Sequence, residues 1–315
     1  MARSGLATVA VALTVSLSPA VAADLTARQI AEAVAVPPTL LPAVSGINLS
    51  VEAAGGGVRG NSPLGSGGYG HLGASLSVPV GAQFGAQVDV LAAKVDGLSF
   101  LGAGGHAFWR DPARSLFGVY AEALTADYGP DRLNKGRLGV ETEAYLGNVT
   151  LSGIAGYEWG NRDIRDGLFA EALAGVYLTE DLKVTGGYGY GFSGHMGTAR
   201  LDWQLPASTG FGNVVVFAEG RVAEGGYAAA YAGVKLQFGA PQKSLQRRQR
   251  EDDPPVWLAS QPHAVAAGYA QRPTGGGFAE PTDCGDAWDR YHETAPGSDE
   301  RSQLSAWMRD HDCRG

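Results

Sequence analysis

From Ser45 to Phe238 the chain alternates between apolar and polar positions with a period of two. In the stretch from Asn148 to Trp159 the odd positions are mostly apolar or aromatic and the even ones polar or small. Arg200-Leu201-Asp202-Trp203-Gln204-Leu205 keeps the same beat. Successive side chains of a strand point to opposite faces, so each such stretch has one oily face and one wet face. The pattern predicts about twelve strands, with ten to fourteen compatible with it, at 45–54, 70–80, 83–94, 99–109, 115–126, 136–146, 148–159, 167–178, 182–192, 197–206, 213–223 and 227–238. Most have the ~9 to 11 residues that a tilted strand needs to cross a bilayer.

The links between these strands are uneven. Gly81-Ala82, Gly147 and Thr179-Glu180-Asp181 read as tight turns, whereas 55–69, 127–135 and 160–166 read as longer loops. Short turns at one end and longer loops at the other are the pattern of transmembrane barrels. Phase then assigns faces. Leu72, Leu76, Phe84, Val88, Val90, Leu138, Val140, Val184, Leu201 and Trp203 fall on the apolar face. The opposite face carries Glu52, Asp89, Glu122, Arg137, Glu141, Glu143, Glu158, Glu171, Lys183, Arg200, Asp202, Glu219, Arg221 and Lys235, nine acids against five bases. An Arg or Lys facing mid-membrane lipid costs ~2 to 4 kcal/mol, so a bilayer enforces this segregation. On the apolar face Trp109, Trp203 and Phe238 fall near one end, and Tyr157, Trp159, Tyr190 and Phe192 near the other. Paired aromatic belts are expected at two membrane interfaces.

The ends of the chain refine the picture. Arg3, the apolar run Leu6 to Leu17 and Ala20-Val21-Ala22 read as a secretory signal peptide over 1–22. A lead-in at 23–44 follows. The formal net charge is -8, and losing Arg3 makes it one unit more negative. That balance argues against nucleic acid as a partner, since binding requires basic surface against phosphate. No Cys/His cluster has zinc spacing, and no cofactor or metal is implied.

The last strand ends Tyr231-Ala232-Gly233-Val234-Lys235-Leu236-Gln237-Phe238. It resembles the terminal-strand signal of Gram-negative outer-membrane β-barrels, with Tyr231, Gly233, Leu236 and Phe238 in the motif positions. The resemblance spans 45–238 and is porin-like. It implies an all-β, antiparallel up-and-down barrel in contact with outer-membrane lipid, inserted by the barrel-assembly machinery. In most such proteins this strand ends the chain, whereas here 77 residues follow.

Those residues divide into a polar linker, 239–281, and a small unit, 282–315, stapled by a Cys284–Cys313 disulfide of the kind exported proteins form. Both are expected in the periplasm, where a basic start (Lys243, Arg247, Arg248, Arg250) offers contact with peptidoglycan or another periplasmic partner. The more economical reading of that start is a solvated linker whose charges neutralise one another. Barrel hydrolases and proteases use His with Ser or acids. His71 with Ser75 or Ser77, His106, and Ser193 with His195 are the candidates here, but no catalytic residue is assigned. The expected function is passive diffusion of small polar or cationic solutes, since rings of acids favour cations. The alternatives are a non-conducting structural or anchoring barrel and, behind it, a barrel hydrolase or protease.

Overall fold

The computed structural model describes residues 41–60, 66–128, 131–161, 164–206, 212–239, 243–270, 281–293 and 299–313. The expected signal peptide and most of the lead-in lie outside them. Twelve strands run β1 (Asn48–Arg59), β2 (Gly67–Pro79), β3 (Phe84–Val95), β4 (Leu98–Asp111), β5 (Ser115–Tyr128), β6 (Asp131–Leu146), β7 (Val149–Gly160), β8 (Gly167–Thr179), β9 (Leu182–Gly191), β10 (Gly194–Gln204), β11 (Asn213–Ala223) and β12 (Ala228–Phe238). Each pairs antiparallel with its chain neighbours, and β1 pairs with β12 from Leu49↔Phe238 to Arg59↔Ala228, closing the barrel. Closure satisfies every strand edge, as a wall in lipid requires.

Several strands are longer than the alternation predicts, and β1 and β6 are so for different reasons. β1 runs through Gly55-Gly56-Gly57, expected as loop. A side chain on Gly56 would collide with the Ala230 carbonyl and with Cα and Cβ of Tyr231, so the glycine permits the close approach of β12 instead of breaking the strand. β6 begins at Asp131 rather than 136, and the expected loop 127–135 shrinks to a two-residue link between Tyr128 and Asp131. The β3–β4 link is Asp96-Gly97, with φ of 46° and 86°. Paired positive φ values are what two-residue hairpins matching strand twist require.

The outward face carries the expected apolar band, with Leu72, Phe84, Val88, Leu138, Val140, Leu201 and Trp203 all exposed. Outward charges on the strands, such as Lys94, Asp127 and Arg132, cluster near the end away from Asn48 and Phe238. Tyr157, Trp159 and Tyr190 stand outward there, as expected. Phe192 does not. It turns inward beside Gly268 and Tyr269.

Beyond the barrel come helices α1 (Leu245–Glu251), α2 (Gln261–Ala270), α3 (Cys284–Glu293) and α4 (Asp299–Asp310), with a 3-10 turn at Trp257–Ser260 before α2. The expected Cys284–Cys313 disulfide is formed. It ties α3 to α4, which bury Ala287, Leu304 and Met308.

Candidate functional site

The inward face is a web of ion pairs. Arg200 is its hub, holding Glu52 at 3.0 Å, Asp202 at 2.9 Å and Glu219 at 3.0 Å, with its guanidinium 3.8 Å above the Phe217 ring. Arg221 shares Glu219. Glu158 accepts from Arg137 at 2.9 Å and from Lys135 at 2.8 Å, and Arg137 also faces Glu122 at 3.8 Å. His106 bridges Asp89 at 2.8 Å and Glu141 at 2.9 Å. Glu143 accepts from Tyr145 and Ser152, each at 2.8 Å. Lys183 donates to Gln249 at 2.7 Å, and Lys235 stands in register with Glu52. Glu171 lines the cavity beside Arg200 and Arg221, so the fourteen wall residues named from phase all face the lumen. Two further bases do so as well. Lys135 fell in a stretch read as loop, and Arg110 one residue past a strand end. Arg110 is fully buried and donates to the Ala43 carbonyl at 3.2 Å.

Residues 243–270 are not a solvated linker. They turn into the barrel and occupy its lumen. α1 sits at the end where β1 starts and β12 stops. Its Gln246 donates to the carbonyls of Glu180 at 3.0 Å and Gly147 at 2.9 Å, both in turns at that end. Arg248 donates to the Phe238 carbonyl and to Asp253. Arg250 donates to the Val149 carbonyl at 2.9 Å and lies over the rings of Tyr145 and Tyr177. Lys243 pairs with Asp252 at 2.7 Å and Glu251 at 2.9 Å and reaches Ser45 at 2.8 Å. The basic start of the tail is thus neutralised by the tail's own acids, Glu251, Asp252 and Asp253, and meets the wall through carbonyls, hydroxyls and aromatic rings.

Further in, Trp257 donates its indole N–H to Glu141 at 2.9 Å and packs with Tyr120, Ile154 and Phe169. Leu258, Val265, Ala266, Ala267 and Tyr269 join Leu91, Val95, Phe100, Leu124 and Leu133 of the wall in one apolar cluster. Gly102 of β4 leaves the space Leu258 fills, since a Cβ there would lie 2.9 Å from Leu258 Cδ1. His263 stacks on Tyr231, ring centroids 5.1 Å apart, and shares a 2.7 Å hydrogen bond with Tyr227. Lys135 donates to Gln261 at 2.9 Å.

The lumen thus has two storeys. Near the chain-terminus end a cavity of about 180 Å³ remains beside the plug, lined by Glu52, Thr150, Thr185, Arg200, Lys235 and Gln249 among others. The far half packs the apolar cluster beside a second charged patch, Lys135, Arg137 and Glu158, with Gln261 bonded to it. The alternation also carried the signal of that cluster, unread: Leu91, Ala93, Val95, Phe100 and Leu124 share the phase of the acids, and water would not be left against them.

The candidate catalytic pairs are not assembled. Ser193 is buried while His195 stands exposed, hydrogen-bonded to Tyr188 and packed beside Tyr190. His71 is held by Tyr69 at 2.6 Å and Glu52 at 3.0 Å, and Ser77 donates to Gln87. Among the described residues no group of three or more His, Cys, Asp or Glu is set to hold a metal ion. In the assembly motif, Tyr231 faces the lumen and Leu236 the outside.

No protein-family model and no curated protein matches the chain. Solved structures that resemble it include a KdgM porin in complex with disordered oligogalacturonate (12% identity, TM-score 0.43, covering 60% of this chain and 99% of that one). An outer-membrane channel from Pseudomonas putida F1 overlays at 10% identity and TM-score 0.46, with 64% and 98% covered. The translocator domain of the autotransporter NalP from Neisseria meningitidis does so at 11% and 0.44, with 68% and 93% covered. Overlaps this loose add nothing to the barrel already described.

Proposed function

We propose that the protein is a Gram-negative outer-membrane channel closed at rest by its own C-terminal segment, which passes small polar or cationic solutes when that segment withdraws. The supporting observation is the mismatch between wall and plug. The terminus-side half of the lumen keeps a charged wall and a polar cavity beside the tail, whereas a permanently sealed stave gains nothing from a desolvated charge network. Withdrawal of 243–270 bares a lumen with more acids than bases, which favours cations. The dry packing of Trp257, Leu258 and α2 favours the second reading, a barrel that never conducts. Planar-bilayer recording separates the two. The full chain is expected to stay closed with brief openings, and a chain ending at Gly239 to conduct steadily with cation preference. A truncated chain that folds as a barrel yet passes no current would overturn the channel reading.

A further inference from the structure

We infer that the barrel carries its own C-terminus through the outer membrane and presents the Cys284–Cys313 unit on the side opposite the chain's entry. This rests on the outer-membrane location proposed above and not on conductance. Four observations point to it. The tail enters at the end of the barrel marked by Asn48 and Phe238, where Leu245 N–H donates to Asp181 and Lys243 reaches Ser45. It leaves at the other end, where Gly268 lies against Phe192 of the β9–β10 link and His263 bonds Tyr227 beside the β11–β12 link. The wall is hydrogen-bonded all the way round, so there is no lateral exit. The lumen also has no room for a return. The segment 243–270 already packs on the wall from Arg250 over Tyr145 and Tyr177 to Tyr269 beside Phe192, and recrossing the ~30 Å hydrocarbon core takes about nine further extended residues through the same space.

An even number of strands leaves both ends of the barrel sequence on one face, the periplasmic one from which an exported chain arrives. The helices α3 and α4 would then stand on the outer face, thirteen residues after α2 in the chain. The expectation of a periplasmic tail gives way to a threaded one. The function added is display: a compact two-helix unit held at the cell surface by a tether that doubles as the plug.

The cysteines supply the test, because Cys284 and Cys313 are the only two in the chain. Intact cells making the unmodified protein are treated with a reductant and then with a 5 kDa polyethylene-glycol maleimide, too large for the outer membrane. The expected result is a mass shift on intact cells equal to that on permeabilised cells. Parallel proteinase K treatment of intact cells should remove reactivity to an antibody against 281–315 and leave the barrel. Labelling and digestion seen only after permeabilisation would overturn the inference and put the unit in the periplasm. Cell fractionation reads the outer-membrane location separately, so failure of that premise is distinguishable from failure of the threading.

Discussion

Trp257 is the residue on which the plug's hold on the wall concentrates. Its indole is buried against Tyr120, Ile154 and Phe169 and donates to Glu141. Trp257→Ala removes the ring and leaves Glu141 a partner short, a loss of ~3 to 5 kcal/mol for a buried Trp truncation. The equilibrium between occluded and open states should therefore shift by about two to four decades, since each ~1.4 kcal/mol is tenfold, read as open probability of the full chain in bilayers. An unchanged open probability would mean that the plug is held elsewhere. Glu251 gives a pH signature at the other anchor. Burial would raise its carboxyl, but hydrogen bonds from Arg247 and Lys243 outweigh it and hold the group below the ordinary carboxylate range. A carboxyl lowered on folding contributes its stability above the unfolded value of ~4.3 and loses it as pH falls through the folded one. Openings should thus be insensitive to Glu251 from pH 8 to 5 and rise only in stronger acid. Glu251→Gln should remove this residue's part of the rise, and openings that track Glu251 near neutral pH would contradict the geometry. Partial solvent exposure keeps the effect small.

At the scale of elements, α2 is apolar apart from Gln261 and His263, each of which is bonded to a wall or link side chain. A helix of that kind is stable only when surrounded, and here the barrel wall surrounds it. Ala266→Asp places a carboxylate in a dry cluster with no partner, so the plug should be expelled while the strands stay paired. Heat-modifiable barrel migration on gels should persist as proteinase K gains access to 243–270, and a variant that loses the barrel too would show that the plug is part of the fold's core. The same helix shows what the sequence made legible. A period-2 beat is local and redundant, so twelve strands could be read to within a few residues, and parity alone turned fourteen charged side chains inward. Where glycine replaced the beat, at Gly55 to Gly57, the strand was invisible, because what Gly56 accommodates is the approach of Ala230 and Tyr231, on a strand almost the whole barrel away in sequence. The plug was hidden differently. Pro254-Pro255, Gln and Gly gave its surroundings the look of a linker, and a decapeptide apolar but for Gln261 and His263 has no amphipathic stripe to announce a partner. Only the inward apolar residues at Leu91, Phe100 and Leu124 betrayed that something dry had to face them.

For the whole molecule, the question is whether wall and plug move relative to one another, and Gly102 offers a way to stop them. A Cβ at that position lies 2.9 Å from Leu258 Cδ1, so Gly102→Cys with Leu258→Cys brings two thiols within reach of the ~3.5 to 4.5 Å Cβ spacing that a disulfide spans. Such a bond ties β4 to the 3-10 turn in the middle of the lumen and removes plug withdrawal without altering a charged wall residue. The oxidised double variant should show none of the brief openings of the parent chain, and a reductant added during recording should restore them. Either single variant should behave as the parent does under both conditions, which separates the new bond from reduction of Cys284–Cys313. Openings that persist in the locked barrel would mean that ions pass beside a stationary plug, through the polar cavity along Glu52, Arg200 and Lys235. The gate would then be the side chains of the wall and not the segment that crosses it.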